Sequence, residues 1–466
     1  MKTNTCTKLP PVVTHEGGRA DRHQTPLQEL TRAVSTCMLF ENTFYESGSE
    51  IAARIEELCL QVTPQQLAEL AVSTRTAMKL RHVSLFLVRQ LARHPGRTAD
   101  PGIVSRTLRE TIQRADELAE FLSIYWKDGK CPVSAQVKKG LSLAFAKFSE
   151  HELAKWNRDG AVKLRDALFV CHAKPANFDW VRADRKKSPV RPYEPTEREL
   201  LYEKIVNGTL ATPDTWEVAL SGGADKKEAF TRLLTENKLG YMALLMNLRN
   251  MEGAGVDRAL INAALLAGAR KSKALPFRFV SAALAAPSMV DALSQAMLLA
   301  VEEAPRLPGM TYLLVDVSGS MSDALSAKST LRRYQAAGAL AILLREICED
   351  CRIFTFSTKL VEAPAYRGLP LIEALWNSQP NGGTYLGQAL AKMAETLPEP
   401  ARTIVVTDEQ AADSGIKVRQ AKGYIVNVAG YKPALELSNG WSRISGWSER
   451  LVEWIALEEN ESEAAR

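Results

Sequence analysis

"TYLLVDVSGSMSDA", residues 311–324, is a short apolar run that stops at an aspartate and breaks into serines and glycine. A buried strand that ends on Asp316 and then offers two spaced hydroxyls, Ser318 and Ser320, predicts a polar site at its carboxyl end. Downstream come a long helical stretch, "STLRRYQAAGALAILLREICED", an apolar run "CRIFTFS", a helix "GTYLGQALAKMAETL" and the runs "RTIVVTD" and "GYIVNVAG". A final amphipathic stretch, "ISGWSERLVEWIALEE", closes the series. Short β-branched runs alternating with helices predict a doubly wound α/β domain, a parallel sheet covered on both faces. The pattern begins near "EEAPRLPGM", which puts the expected domains at 1–303 and 304–466.

In such a fold ligands sit beyond the carboxyl ends of the strands, near the point where strand order reverses. Three features converge on that end. Asp316, Ser318 and Ser320 follow the first strand, Thr384 lies in "NGGTYLGQ" after a glycine pair, and Asp408 ends "RTIVVTD". Two carboxylates and three hydroxyls form an oxygen-only donor set, suited to a hard divalent ion such as Mg²⁺. The ordered set, DxSxS, then Thr, then Asp, resembles the metal-ion-dependent adhesion motif of von Willebrand A domains. That family's motif leaves one coordination position for an acidic group of a partner.

Enzyme readings of the same loop fail on chemistry. A haloacid-dehalogenase-type phosphatase needs a carboxylate two residues after the first as general acid, and that position is Ser318. A hydrolase elbow needs GxSxG with a histidine downstream, and no histidine follows His172. A phosphate-cradling GxxxxGK[ST] is also missing from the sequence. The expectation is a protein without catalytic activity.

Residues 26 to about 303 read as helix after helix, apolar positions recurring at spacings of three and four. Among the segments are "TPQQLAELAVSTRTAM", "SLFLVRQLARH", "IVSRTLRETIQRADELAEFLSIYW", "SAQVKKGLSLAFAKF" and "KEAFTRLLTENKLGYMALLMNLRNM", with Thr63 and Ser134 as caps. Serial helical hairpins without strands favour a solenoid, a surface suited to a large partner.

The seven cysteines are odd in number and scattered, which argues against a disulfide framework. The CxxC at Cys348 and Cys351 reads as a helix end meeting a buried strand. With no apolar stretch near the roughly 18 residues of a membrane span and no hydrophobic signal region, a cytoplasmic protein is expected.

The formal charge of +5 is unevenly spread. Residues 127–191 hold 15 Lys and Arg against 7 Asp and Glu, whereas residues from 305 onward hold 17 against 19. Such a concentration fits a surface that meets polyanions. Lys138, Lys139, Lys163, Arg165, Lys174, Arg185, Lys186 and Lys187 are its candidate phosphate contacts.

The chain as a whole resembles the Ro ribonucleoprotein family, in which a helical TROVE module precedes a von Willebrand A domain. The resemblance rests on "RAVSTCMLFENTFYESG", "DELAEFLSIYW", "SAQVKKGLSLAFAKF", "DALFVCHAKP", "GYMALLMNLRNM", "ALPFRF", "LLVDVSGSM", "NGGTYL" and "VVTDEQ", in family order. It implies a HEAT-like helical ring, monomeric and closed by the A domain, whose basic surface and hole bind RNA. The implied ligands are small noncoding Y-type RNA and misfolded or defective structured RNA, in RNA quality control or stability. An exoribonuclease or RNA-repair enzymes are the implied partners. The family's RNA-contacting stretch falls on Arg165 and on His172 in "CHAKP", with Lys163 and Lys174 beside them and Cys171 where the family has serine. A competing reading is a protein-interaction adaptor whose A domain docks an acidic partner through a divalent ion.

Overall fold

The computed structural model describes residues 12–13, 19–20, 25–36, 48–157, 160–173, 195–272, 274–304, 306–325, 329–413, 422–429, 441–445, 455 and 459. The chain divides into two compact units, one holding residues 50–224 and the other residues 225–466.

In the first unit, several helices begin where the sequence supplies side-chain acceptors for the orphan N–H groups of a first turn. Helix α1 (Pro64–Thr76) opens on a capping box of Thr63 and Gln66, and is followed by α2 (His82–Arg93). The 24-residue stretch from Ile103 to Trp126, periodic throughout, reads as one helix but forms two, α3 (Ile103–Thr111) and α4 (Glu117–Tyr125). The break has an electrostatic cause. The Lys147 ammonium takes the carbonyls of Arg109 and Ile112 at the end of α3. The fully buried Glu117 carboxylate accepts the N–H groups of Gln113 (2.7 Å) and Arg114 (3.3 Å) and is paired with Arg75.

Ser134 caps α5 (Ala135–Phe145). A Cβ at Gly140 would stand 3.1 Å from the Ser105 backbone, so glycine lets α5 lie directly on α3. Then come α6 (Glu150–Trp156), α7 (Leu164–Val170) and α8 (Glu197–Asn207), with capping boxes at Ser149 and Thr196. Phe86, Leu108, Phe121, Leu141, Phe145 and Leu168 are fully buried along the inward stripes.

The second unit starts with five helices, α9 (Lys226–Thr235), α10 (Tyr241–Gly253), α11 (Arg258–Ala269), α12 (Pro276–Ala285) and α13 (Val290–Val301). The first two read as one helix in the sequence. The structure turns between them at Asn237, whose φ of 53° an asparagine tolerates.

Strands β1 (Leu307–Asp316), β2 (Cys348–Phe356), β3 (Leu360–Glu362), β4 (Arg402–Thr407), β5 (Gly423–Asn427) and β6 (Trp441–Ser445) form one sheet in the order β3-β2-β1-β4-β5-β6. All neighbours are parallel except the short edge strand β3 against β2. Helix α14 (Arg333–Ile347) connects β1 to β2 and runs straight into Cys348, as the CxxC stretch predicted. Helices α15 (Pro370–Trp376) and α16 (Leu386–Thr396) lie between β3 and β4 in sequence.

Tyr312, Leu314, Phe354, Phe356, Val405 and Ile425 pack with Leu386, Leu390 and Met393 of α16. Alternate residues, Leu313, Val315, Ile404 and Val406, point to the other face, where α14 meets β1 and β2. The helical segment before the sheet belongs to the same unit: Ser294 of α13 accepts the Leu369 N–H at 3.2 Å.

Candidate functional site

The strand order reverses direction between β1 and its two neighbours, β2 on one side and β4 on the other. At such a switch point the loops leaving adjacent strand ends diverge and open a crevice. Asp316 is the last residue of β1 and Asp408 follows the last residue of β4, so both carboxylates arrive at that crevice. Neither is exposed at all, and Ser318 and Thr384 are almost fully buried.

Backbone hydrogen bonds hold the three contributing loops together. Gly319 N–H donates to the Gly382 carbonyl (3.1 Å), and Ala412 N–H to the Thr384 carbonyl (2.8 Å). The Asn381 amide donates to the Val317 carbonyl (2.7 Å), and Ser357 Oγ accepts the Gly382 N–H (2.9 Å). Thr384 is therefore fixed beside both the 316–320 turn and the 408–412 loop. All five residues singled out in the sequence come to one end of the sheet.

Within the site, Asp316 Oδ1 accepts the Ser318 N–H (2.8 Å) and Oδ2 accepts the Thr407 hydroxyl (2.6 Å). The Ser318 and Ser320 hydroxyls lie 3.3 Å apart. Asp408 Oδ1 accepts the Gln410 N–H (3.2 Å), and Oδ2 lies 3.4 Å from Arg333 Nη1. Burial, reinforced by the Asp408 charge, pushes the Asp316 carboxyl up to about 7, against the hydrogen bonds from Ser318 and Thr407 that favour its ionised form. Burial likewise raises Asp408, opposed by Ser320 and by the Arg333 charge.

Two buried carboxylates among hydroxyls, with the Arg333 guanidinium as a counter-charge on the Asp408 side, are a donor set that a hard dication can use. Among the described residues no group of three His, Cys, Asp or Glu side chains could hold a metal. A cation here would rest on Asp316 and Asp408 with Ser318, Ser320 and Thr384, and the donor set fits it.

Two participants escaped the sequence reading. Thr407 reads there as an ordinary β-branched strand residue, yet its register opposite Asp316 makes its hydroxyl a carboxylate partner. Arg333 reads as part of a polar helix start, and nothing in its spacing links it to Asp408, 75 residues on.

The basic candidates are placed in part. Lys138, on α5, and His172, just past α7, meet at 3.3 Å between Nζ and Nε2. His172 is exposed and held at φ 56°, so it is not a core histidine. Lys163 and Arg165 lie exposed at the start of α7, with Arg165 5.7 Å from the centroid of the Phe169 ring, and Lys139 is exposed on α5. Lys174, Arg185, Lys186 and Lys187 lie outside the described residues.

Residues 207–335 match the family model of the TROVE domain, a stretch that takes in helices of the second unit and the first strand of the mixed sheet. The match runs from the end of α8 through the 316–320 turn into α14. The fold is similar to that in the crystal structure of the Ro (Rsr) protein of Deinococcus radiodurans, with a TM-score of 0.60 and 17% sequence identity over 92% of this chain and 98% of that one. Both matches agree with the resemblance to the Ro family read in the sequence. No curated protein matches the chain. Among the described residues no helix is long and apolar enough to cross a membrane.

Proposed function

We propose that this chain is an RNA-binding protein of the Ro type. In this reading residues 1–303 form a HEAT-like helical ring that binds RNA, and residues 304–466 form a von Willebrand A domain with a metal-ion-dependent adhesion site. The ring is monomeric and cytoplasmic. It takes small noncoding RNA of the Y type and misfolded or defective structured RNA, sequesters or stabilises it without catalysis, and works beside an exoribonuclease or RNA-repair enzymes.

The observation that carries the proposal is the meeting of Lys138 with His172 at the surface, at the end of the helix whose first turn exposes Lys163 and Arg165. These residues come from α5, α7 and the turn after α7, in the most basic part of a chain whose residues 207–335 match the TROVE domain model. Such a cluster presents several N–H donors at fixed spacing to phosphate oxygens. Recognition would rest on backbone and shape, with single-stranded ends held by stacking and hydrogen bonds.

The A-domain site has a separate role. Asp316, Ser318, Ser320, Thr384 and Asp408 would hold Mg²⁺, which when bound supplies a Lewis-acidic point for an acidic group of a protein partner. Thr407 orients the Asp316 carboxylate, and burial keeps water from competing for it. That arrangement also supports a second reading, in which docking an acidic protein partner is the main activity and the helical part is scaffold.

One binding experiment separates the two. Full-length protein should shift a structured RNA with a free single-stranded end, with affinity falling steeply as salt rises. Replacing Arg165 and His172 together with alanine should weaken the shift while leaving helical content intact, and Asp316→Ala should spare it. Absence of any RNA shift at low salt would leave the adaptor reading standing alone.

A further inference from the structure

Arg333 is the second feature of the switch-point crevice. Its side chain is nearly as buried as the Asp408 carboxylate that it faces, with only 6% of its surface exposed. The guanidinium Nη1 reaches three acceptors: the Ser320 carbonyl at 3.1 Å, Asp408 Oδ2 at 3.4 Å and Asp323 Oδ2 at 3.5 Å. The first two belong to residues of the proposed ion site. The third does not, and Asp323 is 46% exposed at the rim of the same turn. The backbone anchors this arrangement, since Arg333 N–H donates to the Asp323 carbonyl at 3.0 Å.

We infer that Arg333 is a resident counter-cation that competes with a divalent ion for the Asp408 carboxylate, with Asp323 as the acceptor that receives the guanidinium when the ion is bound. This rests on reading residues 316–408 as a divalent-ion site.

The argument is one of charge. A guanidinium within reach of Asp408 Oδ2 neutralises the carboxylate that a dication needs, and two cations sharing one buried oxygen repel in a low-dielectric crevice. Arginine stays protonated throughout the working pH range, so the competition cannot be relieved by losing a proton. It is relieved by movement. Asp323 lies within the same guanidinium's reach, so a small rotation exchanges a buried acceptor for an exposed one. Affinity for the ion is then set by the difference between the two acceptors as well as by the five donor residues. The site becomes a switch between an arginine-filled and an ion-filled state.

The test is Mn²⁺ binding to the full chain, read as loss of the free-ion paramagnetic resonance signal, with Mg²⁺ as competitor. Arg333→Gln should bind Mn²⁺ about tenfold or more tightly than wild type, because the competing charge is gone. Asp323→Asn, a surface change, should weaken binding about threefold or more, because the displaced guanidinium loses its charged acceptor. Binding by Arg333→Gln but not by wild type supports the inference in its strongest form. Equal or weaker binding by a natively folded Arg333→Gln variant overturns it and leaves the ion site standing. If that variant does not fold, Asp323→Asn decides, and an unchanged affinity there overturns the inference. No Mn²⁺ binding by either wild type or Arg333→Gln overturns the ion site itself, and this inference with it.

Discussion

Thr407→Val tests the electrostatics of the crevice with almost no change of shape. Valine keeps one methyl in place and replaces the hydroxyl by a second, so packing within β4 is preserved. Two hydrogen bonds disappear: the one donated to Asp316 Oδ2 (2.6 Å) and the one accepted from Glu409 N–H (3.1 Å). Thr407 is 1% exposed and its two partners are fully buried, so water cannot substitute.

A hydrogen bond to a buried charge contributes about 1.5–3 kcal/mol, and a stranded buried N–H costs about 1 kcal/mol at the least. The two share one hydroxyl and do not simply add, so the expected loss is about 2–4 kcal/mol where Asp316 is ionised. The pH dependence has a definite sign. The folded Asp316 carboxyl is pushed up from its ordinary 3.8 to about 7. Ionising it therefore opposes folding, a penalty absent below about pH 4 and fully present above about pH 7. Below pH 7 the Thr407 bond joins two neutral groups, and the loss shrinks to about 1–2 kcal/mol. Urea unfolding in EDTA at about pH 8 and about pH 5.5, followed by hydrogen exchange of the peptide covering β1, reads both values. A variant as stable as wild type at the higher pH, or one with equal losses at the two, refutes this account. For the proposed ion the same substitution should weaken binding about 10–100-fold, as loss of a partner behind a metal ligand does.

Two further predictions concern packing and charge in the same unit. Gly338 lies inside α14, where an added Cβ would come 2.9 Å from Ile372 Cγ1, so Gly338→Ala should lose about 1–2 kcal/mol despite its better helix propensity. In a thermal-melt cycle, pairing it with Ile372→Ala should give a total smaller than the sum, whereas strict additivity would mean that the contact is not what limits the site. Glu459 is engaged by Arg402 through two bonds of 2.8 and 2.7 Å and accepts the Tyr424 hydroxyl at 3.2 Å. Glu459→Gln should cost about 3–5 kcal/mol, because a buried guanidinium is left without its counter-charge. Burial pushes the Glu459 carboxyl up, yet the Arg402 bonds outweigh it and hold the group below its ordinary range. Its contribution is thus present above about pH 4.5 and lost as pH falls through the depressed value, so the variant's deficit should narrow in an acid titration and stay constant from neutral to alkaline pH.

What could be read from the sequence follows the range over which each feature is encoded. Strands β1, β2, β4 and β5 are short apolar β-branched runs and are visible as such; β3 has three residues, and β6, "WSRIS", alternates polar residues without a β-branched run. Helix stretches carry their period across breaks that are made elsewhere. The interruption between α3 and α4 depends on Lys147 and Arg75, which lie outside the stretch that they interrupt.

The ion-site candidates were legible because each sits at the end of its own strand or in a glycine loop, and a parallel sheet brings all such ends to one edge, where the switch point gathers them. Arg333 and Thr407 were not, because their roles exist only once β1 and β4 are neighbours. The same limit governs the basic surface: the charge excess was countable, but the meeting of Lys138 with His172 spans 34 residues and needs α5 and α7 to pack. A local motif can name the donors of a site. Groups outside the motif enter the proposed site only through the fold, as Arg333 does when it reaches Asp408 across 75 residues of sequence.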